Sequence, residues 1–281
     1  MSIVHTVLTD RRVLRISGDD RVDFLQNLIT QNVTNLPDSA CVMAALLTPQ
    51  GKVLHDFLLL RDGDSFLLDC AADSAEALVK KLSLYKLRAA VDIAPTEMAV
   101  HALWQEDGYP CPPMAGFVDD PRHAGLGLRG YFTTAPTIDL PSASLAAWHS
   151  NRLKLGVPQG PSDMPPGTVF PLEFGLQHLQ AIDFKKGCFI GQEVTSRTHR
   201  KGSLRKKLHV VTIDGPAPDL GSDNAGDIMA GERIVGQLVA RENGLGLALI
   251  REDSLALELT LEQTHGEAKI TPSGGVFADE Q

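Results

Sequence analysis

Apolar and polar positions change period several times along the chain, and each change marks an element. Arg12-Val-Leu-Arg-Ile-Ser17 alternates as a strand does, Gly18-Asp19-Asp20 offers helix-capping groups, and Val22, Leu25, Leu28 and Ile29 then recur at helical spacing. Two apolar runs, Cys41 to Leu47 and Val53 to Leu60, flank Thr48-Pro-Gln-Gly51. Proline presets one turn angle there and glycine tolerates positive φ, so the pattern predicts a hairpin. A second turn, Arg61-Asp-Gly-Asp64, leads into Ser65-Phe-Leu-Leu-Asp-Cys70; after it Asp73 or Ser74 can cap a helix with Leu78, Leu82 and Tyr85 on one side. Strand pairs alternating with single helices predict an α+β fold of antiparallel sheets, because a doubly wound parallel sheet would put a helix after every strand.

From Tyr109 to Pro141 the chain is rich in Pro and Gly and reads as loops and short strands, whereas Ser142 to Leu155 reads as a helix stopped by Gly156 and Pro158. Past residue 204 the period becomes two: Leu208, Val210 and Thr212 alternate with their neighbours, as do Ile234, Gly236, Leu238 and Ala240. Short strands with Gly turns and little helix predict a small C-terminal β-barrel. The expected division is therefore an α+β region over 1–203, itself two subdomains, and a barrel domain over 204–281.

Composition narrows the class. With 281 residues, 43% of them apolar, the chain can bury a sizeable core, and length alone suggests about two domains. The longest stretch without a charged side chain, Phe24 to Pro37, is too short and too polar for a membrane span. The N-terminus has no basic region followed by an apolar run, so a cytoplasmic location is expected. The net charge of −9 lies wholly after residue 213. Just before it, Val194 to Ile213 contains no acid but includes Arg197, Arg200, Lys201, Arg205, Lys206 and Lys207. Such a run is as readily a solvated face as a binding surface, and direct nucleic-acid binding is disfavoured because no Phe, Tyr or Trp interleaves it. Cys41, Cys70, Cys111 and Cys188 show no CxxC pair or zinc spacing, so reduced thiols and no metal site are expected.

Chemistry concentrates in Asp183-Phe-Lys-Lys-Gly-Cys-Phe-Ile-Gly-Gln-Glu-Val-Thr-Ser-Arg197. Gly187 and Gly191 allow close backbone approach, Lys185 and Lys186 would favour a thiolate at Cys188, and a helix beginning near Ile190 would add its positive end. Physics alone favours a buried structural cysteine, because an isolated Cys is among the most often buried residue types. A lone thiol does not hold an iron–sulfur cluster, which takes four such ligands, and would at most share one with a partner.

Lys186-Gly-Cys-Phe-Ile-Gly-Gln-Glu193 resembles the signature of the YgfZ family, folate-binding proteins related to the T protein of the glycine cleavage system, an aminomethyltransferase. Phe24-Leu-Gln26, Leu46-Leu-Thr-Pro-Gln-Gly-Lys-Val-Leu54 with Asp56, Arg152 to Pro158 and Phe170-Pro-Leu-Glu173 extend the likeness across the chain. The resemblance implies ferredoxin-like subdomains in a ring-like aminomethyltransferase-type arrangement with a C-terminal β-barrel. It also implies tetrahydrofolate binding and a role in making or repairing iron–sulfur proteins, including enzymes that methylthiolate tRNA, with Cys188 as the residue on which activity depends. On this reading Asp56, Glu173, Lys186, Gly187, Phe189, Gly191, Gln192, Glu193, Arg197 and Arg200 are the candidate folate-binding residues. Asp56 or Glu173 would pair with the pterin edge, and Arg197, Arg200 and Lys201 with a polyglutamate tail. For Asp56 and Glu173 an ordinary surface acid is an equal alternative on residue type alone.

Two departures bear on chemistry. Phe189 stands where the family often has Tyr, and His55-Asp56 stands where the aminomethyltransferases carry an Asp-Asp pair. The missing carboxylate counts against aminomethyl transfer. The favoured expectation is thus a folate-binding accessory protein that works with iron–sulfur client or assembly proteins rather than a conventional enzyme. The alternative is a tetrahydrofolate-dependent one-carbon transferase with Asp56 as general base.

Overall fold

A computed structural model of the chain describes residues 2–216, 220, 226–261 and 268–275. In chain order the elements are β1 (Ile3–Val7), β2 (Arg11–Ser17), α1 (Arg21–Leu28), β3 (Cys41–Leu47), β4 (Val53–Asp62), β5 (Ser65–Ala71), α2 (Ala75–Lys86), β6 (Asp92–Pro95), β7 (Ala99–Gln105), β8 (Phe117–Asp119) and β9 (Leu128–Phe132). There follow α3 (Leu145–Lys154), α4 (Gly160–Asp163), α5 (Gln192–Lys201), β10 (Lys206–Asp214), β11 (Asp227–Ala230), β12 (Arg233–Glu242), β13 (Leu245–Arg251), β14 (Leu259–Leu261) and β15 (Ala268–Gly275). They form a five-stranded sheet of order β3-β4-β5-β2-β6, a four-stranded sheet of order β1-β7-β9-β8, and a closed barrel β10-β13-β12-β11-β14-β15. Every strand pair is antiparallel, as the alternating strand and helix pattern predicts.

The five-stranded sheet buries one face under α1 and α2, where Leu25, Leu78 and Leu82 are fully covered against Leu14, Phe57 and Leu68. At roughly 1.5–3 kcal/mol for each large apolar side chain removed from water, this cluster outweighs the weak propensities of the two helices. The other face joins the four-stranded sheet, α3 and the base of the barrel in a second core around Trp148, Phe174 and Leu208. The barrel interior is a third. Asp219, Asp223, Glu262, Glu267, Asp279 and Glu280 of the acidic tail lie outside the described residues.

Three local expectations need correction. Asp20 is the N-cap of α1 without bonding into the helix, because its Oδ2 accepts from Ala90 N at 2.7 Å across the sheet edge. Ser74 caps α2 by position only, its hydroxyl turned back to donate to Ala71 O. The helix after the cysteine begins at Gln192 rather than near Ile190, because Gly191 takes φ +82° and ends the preceding turn.

Candidate functional site

The loop before α5 is held at both sides of Cys188. Asp183 N donates to Thr30 O, and the Lys186 ammonium donates to Ile29 O at 2.6 Å and Gln31 O at 2.7 Å just past the end of α1. Gln26 Nε2 donates to Lys186 O in return. Phe189 is 6% exposed and inserts into the core, with the Lys186 ammonium 5.6 Å from its ring centre. The Gln192 amide donates to Gly187 O at 2.7 Å, closing the loop from the other side. Gly191 lies so close to the β3–β4 turn that a Cβ there would stand 2.6 Å from Thr48 O. Between these anchors Gly187 and Cys188 are exposed.

Partial burial lowers the pKa of Lys186 to about 8, with Asp183 opposing the shift. The expectation that this lysine serves the thiol is therefore revised: its ammonium is engaged with two main-chain carbonyls just past the end of α1. Phe189 is likewise a core residue. The remaining thiols are unlike Cys188. Burial pushes Cys41 and Cys70 up to about 12, and Cys111 is also raised by burial. Protonated thiols of that kind are poor ligands and poor nucleophiles.

Beyond the cysteine, one side of α5 lines an open cleft of ≈ 560 Å³ together with Phe184; its helical contributors are Gln192, Glu193, Ser196, His199 and Arg200. Phe184 and His199 stack with ring centres 3.9 Å apart, and His199 Nδ1 is 3.2 Å from Gln177 Oε1. Arg197 pairs with Glu193 at 2.8 Å on the exposed surface, while Arg200 Nε donates to Ser196 O.

The two nominated acids lie elsewhere. Asp56 is buried, its oxygens 3.1 and 3.3 Å from the donor Gly160 N, and desolvation raises its pKa against the pull of Arg11. Gly160 in turn lines a separate cavity of ≈ 220 Å³ with Asp10, Asp73, His149, Arg152 and Gln159 among its walls. Glu173 is half-buried at the joint with the barrel, its pKa raised by desolvation with Lys206 opposing, and its carbonyl accepts from Leu208 N. The structure thus brings Lys186, Gly187, Cys188, Phe189 and Gly191 into one loop, with Gln192, Glu193, Arg197 and Arg200 along the adjoining helix. It does not bring Asp56 or Glu173 to the lining of that cleft.

Sequence reasoning missed a buried charge network. Asp69 accepts from Arg11 Nε at 2.6 Å and Arg129 Nη1 at 2.5 Å, and Asp120 accepts from Arg129 Nε and Arg122 Nη2, both at 2.7 Å. The two guanidinium groups hold the Asp120 carboxyl far below the usual range. A visible signal existed: Asp69 interrupts the apolar run of β5 at an inward position. Among the described residues no group of three or more His, Cys, Asp or Glu side chains is placed to hold a metal ion, and no helix is long and apolar enough to cross a membrane.

Comparison with known proteins decides the family. A sequence model of the CAF17 C-terminal β-barrel domain matches residues 205–274. The chain is 34% identical over 241 residues to the human mitochondrial iron–sulfur cluster assembly factor IBA57, covering 76% of this chain and 67% of that protein. The chain belongs to the IBA57 family. The mouse IBA57 is 32% identical with the same coverages, and the IBA57 homolog of Neurospora crassa is 32% identical over 82% of this chain and 58% of its own length. The chain therefore spans little more than half of the Neurospora relative. The YgfZ resemblance read from the motif is corrected to the IBA57 members of this family. These relatives are named mitochondrial, which overturns the cytoplasmic expectation. The absence of a secretory pattern bears only on secretion and is silent on other routes. In three dimensions the chain matches the glycine cleavage system aminomethyltransferase T of Bartonella henselae with TM-score 0.73 at 13% identity, over 100% of this chain and 87% of that one, so the two share a fold.

Proposed function

We propose that this chain acts in iron–sulfur cluster assembly, with Cys188 contributing one thiolate to a cluster held jointly with a partner or client protein. The carrying observation is the exposure of Cys188 on a loop anchored by Lys186 and Phe189, while burial pushes Cys41 and Cys70 up to about 12. One thiolate is too few for a cluster, so the other ligands come from the partner. On binding, the thiol gives its proton to solvent and the sulfur takes a place on iron. The names of the IBA57 relatives supply the assembly context. Cluster enzymes that methylthiolate tRNA are the proposed clients. The test is Cys188→Ser, assayed by activity of such an enzyme in cells and by the visible absorption of the cluster on the purified pair. Retention of both by the variant would sink the proposal.

A second reading rests on Asp56. The aminomethyltransferase-like fold and a buried carboxylate with spare acceptor positions support tetrahydrofolate as a ligand, since among the described residues a single amide, Gly160 N, donates to an acid that offers about four lone-pair sites. Bound folate would supply a carrier for one-carbon groups. Titration with tetrahydrofolate should give saturable binding to the wild type and to Cys188→Ser, and weaker binding to Asp56→Asn. No binding to the wild type rejects this reading, and the one-carbon transferase alternative with it.

A further inference from the structure

We propose that the outer face of the four-stranded sheet carries a second binding site, for a compact organic cation of the methylated-ammonium class. None of its residues belongs to the Cys188 loop or to α5. Val100, Ala102, Trp104 and Tyr131 point from this sheet into the core around Trp148, so by strand alternation His101, Gly130 and Phe132 point to the opposite side. There Gly130 lies beneath two rings: a Cβ at that position would stand 2.3 Å from Phe132 Cε2 and 2.8 Å from Phe117 Cε1. Glycine weakens a strand interior, and here its missing side chain lets both rings settle onto bare backbone. The rings meet with centres 5.2 Å apart and planes inclined by 58°, and His101 packs nearly perpendicular to Phe132 with centres 5.3 Å apart. Both phenyl groups line a cavity of ≈ 340 Å³, whose walls also include Met114, Ile138, Asp139 and Leu140. The segment that carries Asp139 is tied to β1, because His5 N donates to Pro141 O at 2.9 Å and Ala143 N donates to His5 O at 2.8 Å.

The lining selects the charge of its ligand. Asp139 is the one charged side chain in it, and no Arg, Lys or His is there to meet an anion. A divalent metal ion is a poor occupant, since calcium or magnesium calls for several oxygen ligands and the other walls are mostly apolar. An organic cation suits all of them. The face of a phenyl ring attracts positive charge within about 6 Å of its centre, and two rings whose centres are 5.2 Å apart bring one cation within reach of both. Methyl groups on the nitrogen present an apolar surface to Met114, Ile138 and Leu140, whereas a bare ammonium is strongly hydrated and gives up more water on entry.

The test is titration calorimetry on the full chain with choline as probe. Saturable binding is expected, and the neutral isostere with carbon in place of nitrogen should bind about fivefold more weakly or worse. Asp139→Asn and Phe132→Leu should each weaken choline binding about three- to tenfold, while Cys188→Ser binds as the wild type does. A peptide bearing trimethyllysine, set beside the same peptide with unmodified lysine, separates the sources of the cation. Binding of choline assigns a free small molecule, binding of the modified peptide alone assigns a side chain of a partner protein, and either supports the site. Equal binding of the neutral isostere overturns it, the cavity then being an apolar pocket that ignores charge. So does equal binding of the unmodified peptide, or no binding of any of these cations. Unchanged binding in both Asp139→Asn and Phe132→Leu, or loss of binding in Cys188→Ser, places the cation elsewhere and overturns the site as well. Should circular dichroism show Phe132→Leu misfolded, Phe117→Leu repeats the measurement, and Asp139→Asn changes only an exposed side chain.

Discussion

Cys188 is presented by its neighbours rather than by its own packing. Lys186 grips the end of α1 and Phe189 is sunk in the core, so the residue between Gly187 and Phe189 has nowhere to go but outward. This arrangement leaves a trace in pH. The folded chain releases the Lys186 proton at about pH 8, whereas an unfolded lysine keeps it to the ordinary value of 10.5. Between those limits the unfolded state binds more protons, so this residue makes stability rise with pH across that window. Cys41 and Cys70 act in the opposite sense above their ordinary value, because burial raises their pKa, but their effect is common to wild type and variant. Urea midpoints of wild type and Lys186→Met should therefore diverge steadily from about pH 8 upward, the wild type gaining. Parallel curves would show that the ammonium is not desolvated.

At the scale of elements, the loop and α5 act as one unit because Gly191 lets them touch the β3–β4 turn. Gly191 has φ +82° and no room for a Cβ; Gly187 has φ +98° but open space around it. Gly191→Ala should cost about 1–3 kcal/mol and raise hydrogen exchange across residues 183–192, while Gly187→Ala should cost only the strain of its backbone, at the low end of that range. Equal effects would mean that the turn contact does not hold the loop. Glu193→Gln breaks an exposed i,i+4 pair and should change stability by less than about 0.5 kcal/mol in thermal unfolding. The same elements show what local pattern can and cannot convey. The β3–β4 hairpin follows directly from two apolar runs around Pro and Gly, and Ser144 caps α3 through Ala147 N as a serine before an apolar run should. Asp20 has the right residue type for a cap yet bonds to Ala90, a partner 70 residues away that no local window contains.

Across the whole molecule, the two sheets are joined by buried charge. Arg11 and Asp69 come from the five-stranded sheet, Arg129 from the four-stranded one, and Asp120 and Arg122 from the turn before β9; Trp148 of α3 lies 5.4 Å from the Arg129 guanidinium carbon. Removing one member strands the others without water, so Arg129→Met should destabilise by about 3–5 kcal/mol in denaturant unfolding. Arg129→Met combined with Asp69→Leu should cost less than the sum of the single changes, because an orphaned charge disappears with its partner. A single-variant cost below about 1 kcal/mol would show that packing alone joins the sheets.

What the sequence determined by itself was the run of strands and helices from β2 to α2, the helix α3, the antiparallel class, the barrel at the C-terminal end and the position of the one motif cysteine, whereas β1, β6, β7 and α4 left no reading in the pattern. The legible features all depend on short-range periodicity and turn chemistry. The tertiary structure alone decided that Cys188 is the exposed thiol, that Lys186 and Phe189 serve as anchors, that Asp56 sits behind Gly160 away from the cysteine, and that five charged side chains meet between the sheets. Each of these is a contact between residues distant in the chain, and desolvation, which sets their ionisation, exists only once those distant segments have closed around them.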